Sequence, residues 1–252
     1  MPELETSDQL LFSEQAESYA RFRPHYPENL YKKIFHHVSA FDLAWDVGTG
    51  NGQIAHKLSE TFQNVHASDI SAGQLKQAFQ NPNIQYSVSS AESCELEDRS
   101  TDLITVGQAI HWFNTDLFYD EVRRVAKKNA FLAIWGYNLL KIDVATDDLI
   151  RFFHNKVLAK YWDPRRKAVL EELENLPFPF EEIELNPGSL LVEWTLEDLF
   201  GYLRSWSAVN TYLKINSQNP LEYIENDLKK SWGKQERKQI IIPLFSRMGF
   251  IN

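Results

Sequence analysis

The run Leu43-Ala44-Trp45-Asp46-Val47-Gly48-Thr49-Gly50-Asn51-Gly52 joins a short apolar segment to a loop with three glycines. A segment of this length flanked by such a loop reads as a β-strand, and the residues after it place Ile54, Ala55 and Leu58 on one helical face. Together they make the opening of a βα unit. Moving outward, the alternation continues. Strands are expected over 65–69, 84–88, 103–106 and 130–135, and the last breaker before the third is Asn81-Pro82-Asn83. Ser71 is placed to cap the helix after strand two, and Asn114 or Thr115 to cap one running through Val125. The fold class is therefore α/β, a doubly wound, mostly parallel sheet.

Beyond 140 the pattern changes. Residues 145–176 read as helical, with Trp162 and two arginines among them. Pro177 and Pro179 interrupt, and 181–185 reads as a strand. A long helical stretch is expected over 196–232, ended by Gly233, and a last strand over 239–245. Pro243 in that strand places it at or near a sheet edge. The division expected is one domain over 1–252, with an N-terminal helical lid (1–40), a cofactor-binding core (41–140), and a helical cap with the last two strands (141–252).

Composition narrows the partners. Of 252 residues, 43% are hydrophobic and 13% aromatic, which excludes low-complexity and broadly disordered chains. The net charge of -9 disfavours a polyanion such as nucleic acid, because phosphate contacts need a basic face. Cys94 alone forms no internal disulfide, the first residues carry no targeting signal, and no run is long enough for a membrane span. A cytoplasmic, soluble protein is expected.

In doubly wound sheets a ligand binds at the carboxyl ends of the strands, at the switch point. The loop is Gly-x-Gly-x-Gly, whereas a dinucleotide fingerprint needs a sixth-position glycine where this chain has Gln53. Gly48 and Gly50 would let a ligand lie against the backbone, and Asp46 offers a carboxylate to an ammonium group. Asp69, ending strand two, would accept the two hydroxyls of an adenosine ribose; the alternative is that it caps the next helix. Ala91 and Glu92, after strand three, would line the adenine, although Glu92 alone reads equally as a solvated loop acid.

These residues, with Gln108-Ala109-Ile110-His111-Trp112-Phe113, resemble the class I S-adenosylmethionine-dependent methyltransferases of the type 11 methyltransferase domain group. Tyr19-Ala20-Arg21-Phe22-Arg23-Pro24-His25-Tyr26-Pro27 and Tyr202-Leu203-Arg204-Ser205-Trp206-Ser207 are similar to the branch that includes trans-aconitate methyltransferase-like proteins. The resemblance implies a Rossmann-like sheet of seven strands with the last antiparallel, and S-adenosyl-L-methionine as cofactor. It implies that Gly48 and Gly50 face the methionine, Asp46 its amino group, Asp69 the ribose, Ile70 and Ala91 the adenine, and Gln108 the methionine or sulfonium region. Tyr19 and Arg23 would fold over the cofactor, so residues 12–27 are expected to form a lid. Ser93-Cys94-Glu95-Leu96 departs from the Leu-Pro that relatives more often carry after the Ala-Glu pair, which bears on the loop around the adenine.

On the acceptor side, His111 follows strand four and is the candidate general base; its alternative is to shape the loop. Trp112 and Tyr137 are candidate pocket walls, while Trp135 and Trp206 read as core. Arg204 is the candidate anchor for a substrate carboxylate, against a surface arginine as alternative. Neighbouring His36 and His37 point apart on a helix, so no metal site is expected. No Gly-x-Ser-x-Gly elbow is present. The expected activity is methyl transfer to a small molecule, with a carboxylate favoured. The rivals are a non-catalytic binding module and a nicotinamide-dependent oxidoreductase, for which no hydride-transfer residue is recognisable.

Overall fold

The computed structural model describes residues 24–166, 169, 171 and 173–252. Tyr19, Arg23 and most of the expected lid lie outside the described residues. Helix α1 (Glu28–Phe35) follows the extended Pro27 and buries Leu30, Tyr31 and Ile34. Strand β1 (Leu43–Val47) leads into α2 (Gln53–Ser59), and β2 (Asn64–Asp69) into α3 (Ala72–Leu75). Strands β3 (Ile84–Val88) and β4 (Thr101–Gly107) follow, then α4 (Thr115–Val125) and β5 (Ala126–Tyr137). The caps form as their residue types dictate, because a side-chain oxygen takes an otherwise orphaned helix N–H. Ser71 accepts from the Gln74 amide and Asn114 from the Leu117 amide.

The sheet runs in the order β3-β2-β1-β4-β5-β8-β6, with β7 paired to β8. The first five strands are parallel, and β8 (Lys238–Ile251) runs antiparallel to β5. This is a mostly parallel α/β sheet of eight strands, one more than the seven expected. The added strand is β7 (Ser189–Trp194), which no part of the sequence pattern signalled.

Strand alternation separates two cores. Ala44, Leu103, Phe131, Ala133 and Trp135 face one side with α1, α2 and the helices after β5. Trp45, Val47, Ile104, Val106, Leu132 and Ile134 face the other, against Phe118, Val122 and Val125 of α4. Both faces of the central strands are covered, which is why their sequences are nearly continuous in apolar residues.

The second half corrects three expectations. Among the described residues the helical reading over 145–176 holds for α5 (Val144–Phe152) and at Val169, while the chain after α5 widens into a π turn (Phe153–Val157) and tightens into 3-10 turns at Ala159–Tyr161 and Pro164–Arg166. Strand β6 (Glu181–Ile183) is shorter than expected. The stretch over 196–232 is broken into α6 (Leu196–Arg204), α7 (Ser207–Asn216), a 3-10 turn and α8 (Glu225–Trp232). Ser217, left-handed at φ 53°, stops α7.

Pro243 does not lie on an edge strand. Ile241 exchanges both backbone hydrogen bonds with Lys141, and strand alternation turns the nitrogen of residue 243 toward that same side. There the register slips by one before Tyr137 pairs with Leu244, so no ladder donor is missing. Proline is tolerated at this irregularity for the same reason as at an edge.

Candidate functional site

The carboxyl ends of β1 and β4 part at the switch point, and a cavity of about 260 Å³ opens there. The loop after β1 forms its floor. Gly48, Gly50 and Gly52 all have left-handed backbones, at φ 65°, 58° and 79°. Their surroundings differ. A Cβ on Gly48 would stand 2.6 Å from the Ala109 Cβ, and one on Gly52 would stand 2.4 Å from the Tyr86 Oη. Those two glycines let the protein pack on itself. At Gly50 the nearest atom is Gln74 Oε1 at 3.9 Å, so this glycine leaves room for something other than protein.

Asp46 is completely buried beneath the loop and is absent from the cavity lining. It accepts from the Thr49 hydroxyl, from the Thr105 hydroxyl at 2.9 Å and from the Ala55 amide at 3.1 Å. Burial pushes its carboxyl up to about 7 against these donors. Its contacts are with the loop, β4 and α2, not with open space. Asp69 does face the cavity. Its oxygens accept from the Gly50 and Ser71 amides, both at 2.8 Å. A carboxylate has about four acceptor positions, so capacity toward the cavity remains. Burial raises its pKa and the backbone donors oppose that rise.

Ile70, Ala91 and Glu92 line the same end. Glu92 also accepts from the Asn114 amide at 2.8 Å and so steadies the start of α4. A carboxylate at a strand end, a second acid nearby and a side-chain-free floor at Gly50 suit a ligand with a ribose and an adenine. The residues present fit the adenosyl group.

Gln108 sits on the lining in a left-handed conformation, φ 57°. Its carboxamide is engaged along β5: Nε2 donates to the Tyr137 carbonyl and Oε1 accepts from the Tyr137 amide, each at 3.0 Å. Only a glycine fits opposite, since a Cβ on Gly136 would stand 2.4 Å from Gln108 Oε1. Gln108 thus fastens the turn after β4 to β5.

That turn carries His111, the candidate base. His111 lines the cavity with 8% of its surface exposed, and neither ring nitrogen has a hydrogen-bond partner among the described residues. Burial pushes its pKa down to about 3, aided by the Arg166 and Arg165 charges and opposed by Asp163. The ring is neutral at pH 7. Trp112 and Tyr137 line the cavity as well, and Trp135 and Trp206 do not.

The structure does not bring Arg204 to this cavity, which corrects the expectation of a carboxylate anchor there. Its side chain is 48% exposed, bonded to Glu197 at 2.7 Å, and lies over Phe200, because it ends α6 on the outer face. The residues at the roof are Arg166, Ser205, Ser207 and Tyr26. Arg166 lies inside the stretch whose pattern reads as helix, so nothing local marks it as a lining residue, although Pro164 signals the break. Ser205 and Ser207 carry no separate signal as lining residues, because they fall inside the helical stretch expected over 196–232. Among the described residues no cluster of potential metal ligands occurs, and no helix is long and apolar enough to cross a membrane.

Known proteins share this arrangement. Residues 45–134 match the methyltransferase domain family. A protein of Dictyostelium discoideum bearing the name of a methyltransferase is 35% identical, over 88% of this chain and 86% of its own. A Saccharomyces cerevisiae protein named as a probable S-adenosylmethionine-dependent methyltransferase is 23% identical, over 84% of this chain and 86% of its own. Among solved structures, one from Anaeromyxobacter dehalogenans, titled as a type II methyltransferase, is 36% identical. It superposes with a TM-score of 0.82 and covers 91% of this chain and 98% of its own.

Proposed function

This chain belongs to the class I S-adenosylmethionine-dependent methyltransferases, and from that membership we propose that its acceptor is a small molecule, with a carboxylate favoured. The observation that carries the proposal is the enclosure of the acceptor end. His111 is buried beneath a roof that includes Ser205 and Ser207, so the space suits a compact molecule rather than a nucleic acid strand. The net charge of -9 agrees with this. The single cysteine supports a cytoplasmic location.

Bound S-adenosylmethionine supplies an activated methyl group on a sulfonium, open to in-line displacement. The chain's own task is orientation and exclusion of water. Asp69 and Glu92 hold the adenosyl end, Gly50 makes room for it, and Asp46 supports the loop from beneath. Gln108 sets the turn bearing His111 and Trp112. A carboxylate acceptor needs no base at pH 7: its oxygen forms the new bond to carbon, the carbon–sulfur pair stays on sulfur, and no proton is released. A neutral His111 with a depressed pKa is a weak base, so its role in this scheme is to position the acceptor by hydrogen bonding.

The test is methyl transfer from labelled S-adenosylmethionine to a panel of small acids, phenols and amines. Label in a base-labile ester of an acid is expected. Transfer only to phenols or amines would overturn the acceptor class, and S-adenosylhomocysteine binding without transfer to any acceptor would favour a non-catalytic binding module.

A further inference from the structure

The roof of the cavity contains the start of α7. Ser207, the first residue of that helix, lines the cavity, and Trp206 before it is extended and supplies no side-chain cap. The amides of Val209 and Asn210 close the first turn on the Trp206 carbonyl, at 3.0 and 3.3 Å. Those of Ser207 and Ala208, and the Ser207 hydroxyl, donate to no group among the described residues. No acidic side chain stands in the first turn to offset them. Aligned peptide dipoles leave about half a positive charge at such an end, and its open N–H groups suit an anion.

A helix end alone defines no site, but a second group in the same cavity also calls for a ligand. His111 lines it with 8% of its surface exposed, and neither ring nitrogen has a partner among the described residues. A buried polar group left unbonded costs about 1–3 kcal/mol, so the imidazole has hydrogen bonds to make that the described chain does not supply. The two features are close in the fold. The Arg166 charge is felt at His111, and a small side cavity is lined by Arg166, Tyr137 and Trp206, the last joined directly to Ser207. A neutral imidazole has one N–H to donate, and the helix end adds the Ser207 amide and hydroxyl. Donors from two elements with a positive helix end favour an anionic oxygen and repel an ammonium.

We propose that the N-terminus of α7 is the anion subsite for the acceptor, with the Ser207 amide and hydroxyl holding one oxygen of the acceptor's carboxylate in the cavity that His111 lines. The inference rests on the methyl-transfer reading above. The second oxygen forms the bond to the methyl carbon, the carbon–sulfur pair stays on sulfur, and no proton is released. Methylation removes the negative charge, so the ester is held less firmly than the acid. The helix end that selects the substrate thus also favours departure of the product.

The experiment is calorimetric titration of protein saturated with S-adenosylhomocysteine, comparing wild type with Ser207→Ala, Ser207→Pro and Ser207→Asp. The probes are benzoate and glutarate, with methyl benzoate, benzamide and glutaramide as neutral counterparts. Proline suits the first helical position, where its missing N–H breaks no helix bond, and Trp206 at φ -71° and ψ 134° already has the backbone that precedes a proline. Aspartate there favours the helix and repels an anion. At least one acid is expected to bind wild type in preference to its ester or amide. Its affinity should fall by about tenfold or more in Ser207→Pro, the scale of one lost hydrogen bond to a charged group, and by less in Ser207→Ala, which keeps the amide. It should be lost in Ser207→Asp, whose melting temperature should not fall below that of wild type. S-adenosylhomocysteine affinity in Ser207→Ala and Ser207→Pro should stay within about twofold of wild type. Equal acid binding in wild type and Ser207→Pro overturns the proposal, and so does wild-type acid affinity in Ser207→Asp, which decides the matter if the proline variant unfolds. Loss of S-adenosylhomocysteine affinity with acid binding unchanged would also overturn it, by giving the helix end to the carboxylate of the cofactor. A wild type that binds neither acid, or prefers the neutral probes, would overturn the carboxylate reading on which the proposal rests, and one that does not bind S-adenosylhomocysteine would overturn the methyl-donor reading beneath both.

Discussion

His111 illustrates how burial sets chemistry at one residue. Its native pKa of about 3 lies below the unfolded value near 6.5, so between these limits the unfolded chain binds more protons than the folded one. Stability therefore rises with pH through this window and is fully present above it. We predict that His111→Asn flattens the pH dependence of stability. The difference between wild type and variant should change by up to ~1.4 kcal/mol per pH unit from 6.5 down to 4. Denaturant unfolding at a series of pH values measures it, and parallel curves for the two proteins would mean that burial does not depress the His111 pKa. The residue itself stood out in the sequence, because a histidine after a strand end is placed for function. Its lack of partners did not, since that depends on what the cap brings over it. Asp46 shows the converse: a carboxylate beside a glycine loop suggests a ligand, and its three protein donors come from residues as distant as Thr105.

At the scale of the element, the loop after β1 shows what three glycines do separately. Gly50→Ala meets no clash, so its cost to folding is confined to the left-handed backbone, about 1–2 kcal/mol. We expect this variant to stay folded while S-adenosylhomocysteine affinity drops more than tenfold. Gly52→Ala adds a clash with Tyr86, whose hydroxyl is held by the Phe79 carbonyl at 2.7 Å. Overpacking of that kind costs a further ~1–3 kcal/mol, so this variant should unfold at a lower temperature than Gly50→Ala. Thermal scans with calorimetry separate the two, and equal destabilisation would contradict the distinction. The βα units from β1 to β5 were legible because short apolar strands, caps and breakers agree there. The cap helices were not. The residues Arg204, Ser205 and Trp206 include neither glycine nor proline, so no local stop signal marks the break that puts Ser205 and Ser207 on the cavity.

At the scale of the whole molecule, one sheet carries two cores, and the second half of the chain returns to it through β6, β7 and β8. That return was half legible: the run 239–245 showed a strand, but its extension to Ile251 needs β5 as a partner, and β7 needs β8. The end of the cavity with Asp69 and Glu92 is thus built by local units readable in sequence, while the end with Ser205 and Ser207 depends on long-range closure. Binding at the junction should be felt by the entire fold, since a ligand of the native state stabilises by mass action. At about 100 times its dissociation constant the gain is about 2.7 kcal/mol, or roughly 5–10 °C for a chain of this length. The most direct measurement is therefore thermal unfolding of wild type and Asp69→Ala, each with S-adenosylhomocysteine or NADH at one fixed concentration. Loss of the Asp69 hydrogen bonds should weaken binding by ~1.5–3 kcal/mol. The predicted result is a rise of this size for wild type with S-adenosylhomocysteine, a much smaller one for Asp69→Ala, and none with NADH. No rise with S-adenosylhomocysteine, or equal rises in both proteins, would contradict the assignment of this cavity as the methyl donor's site.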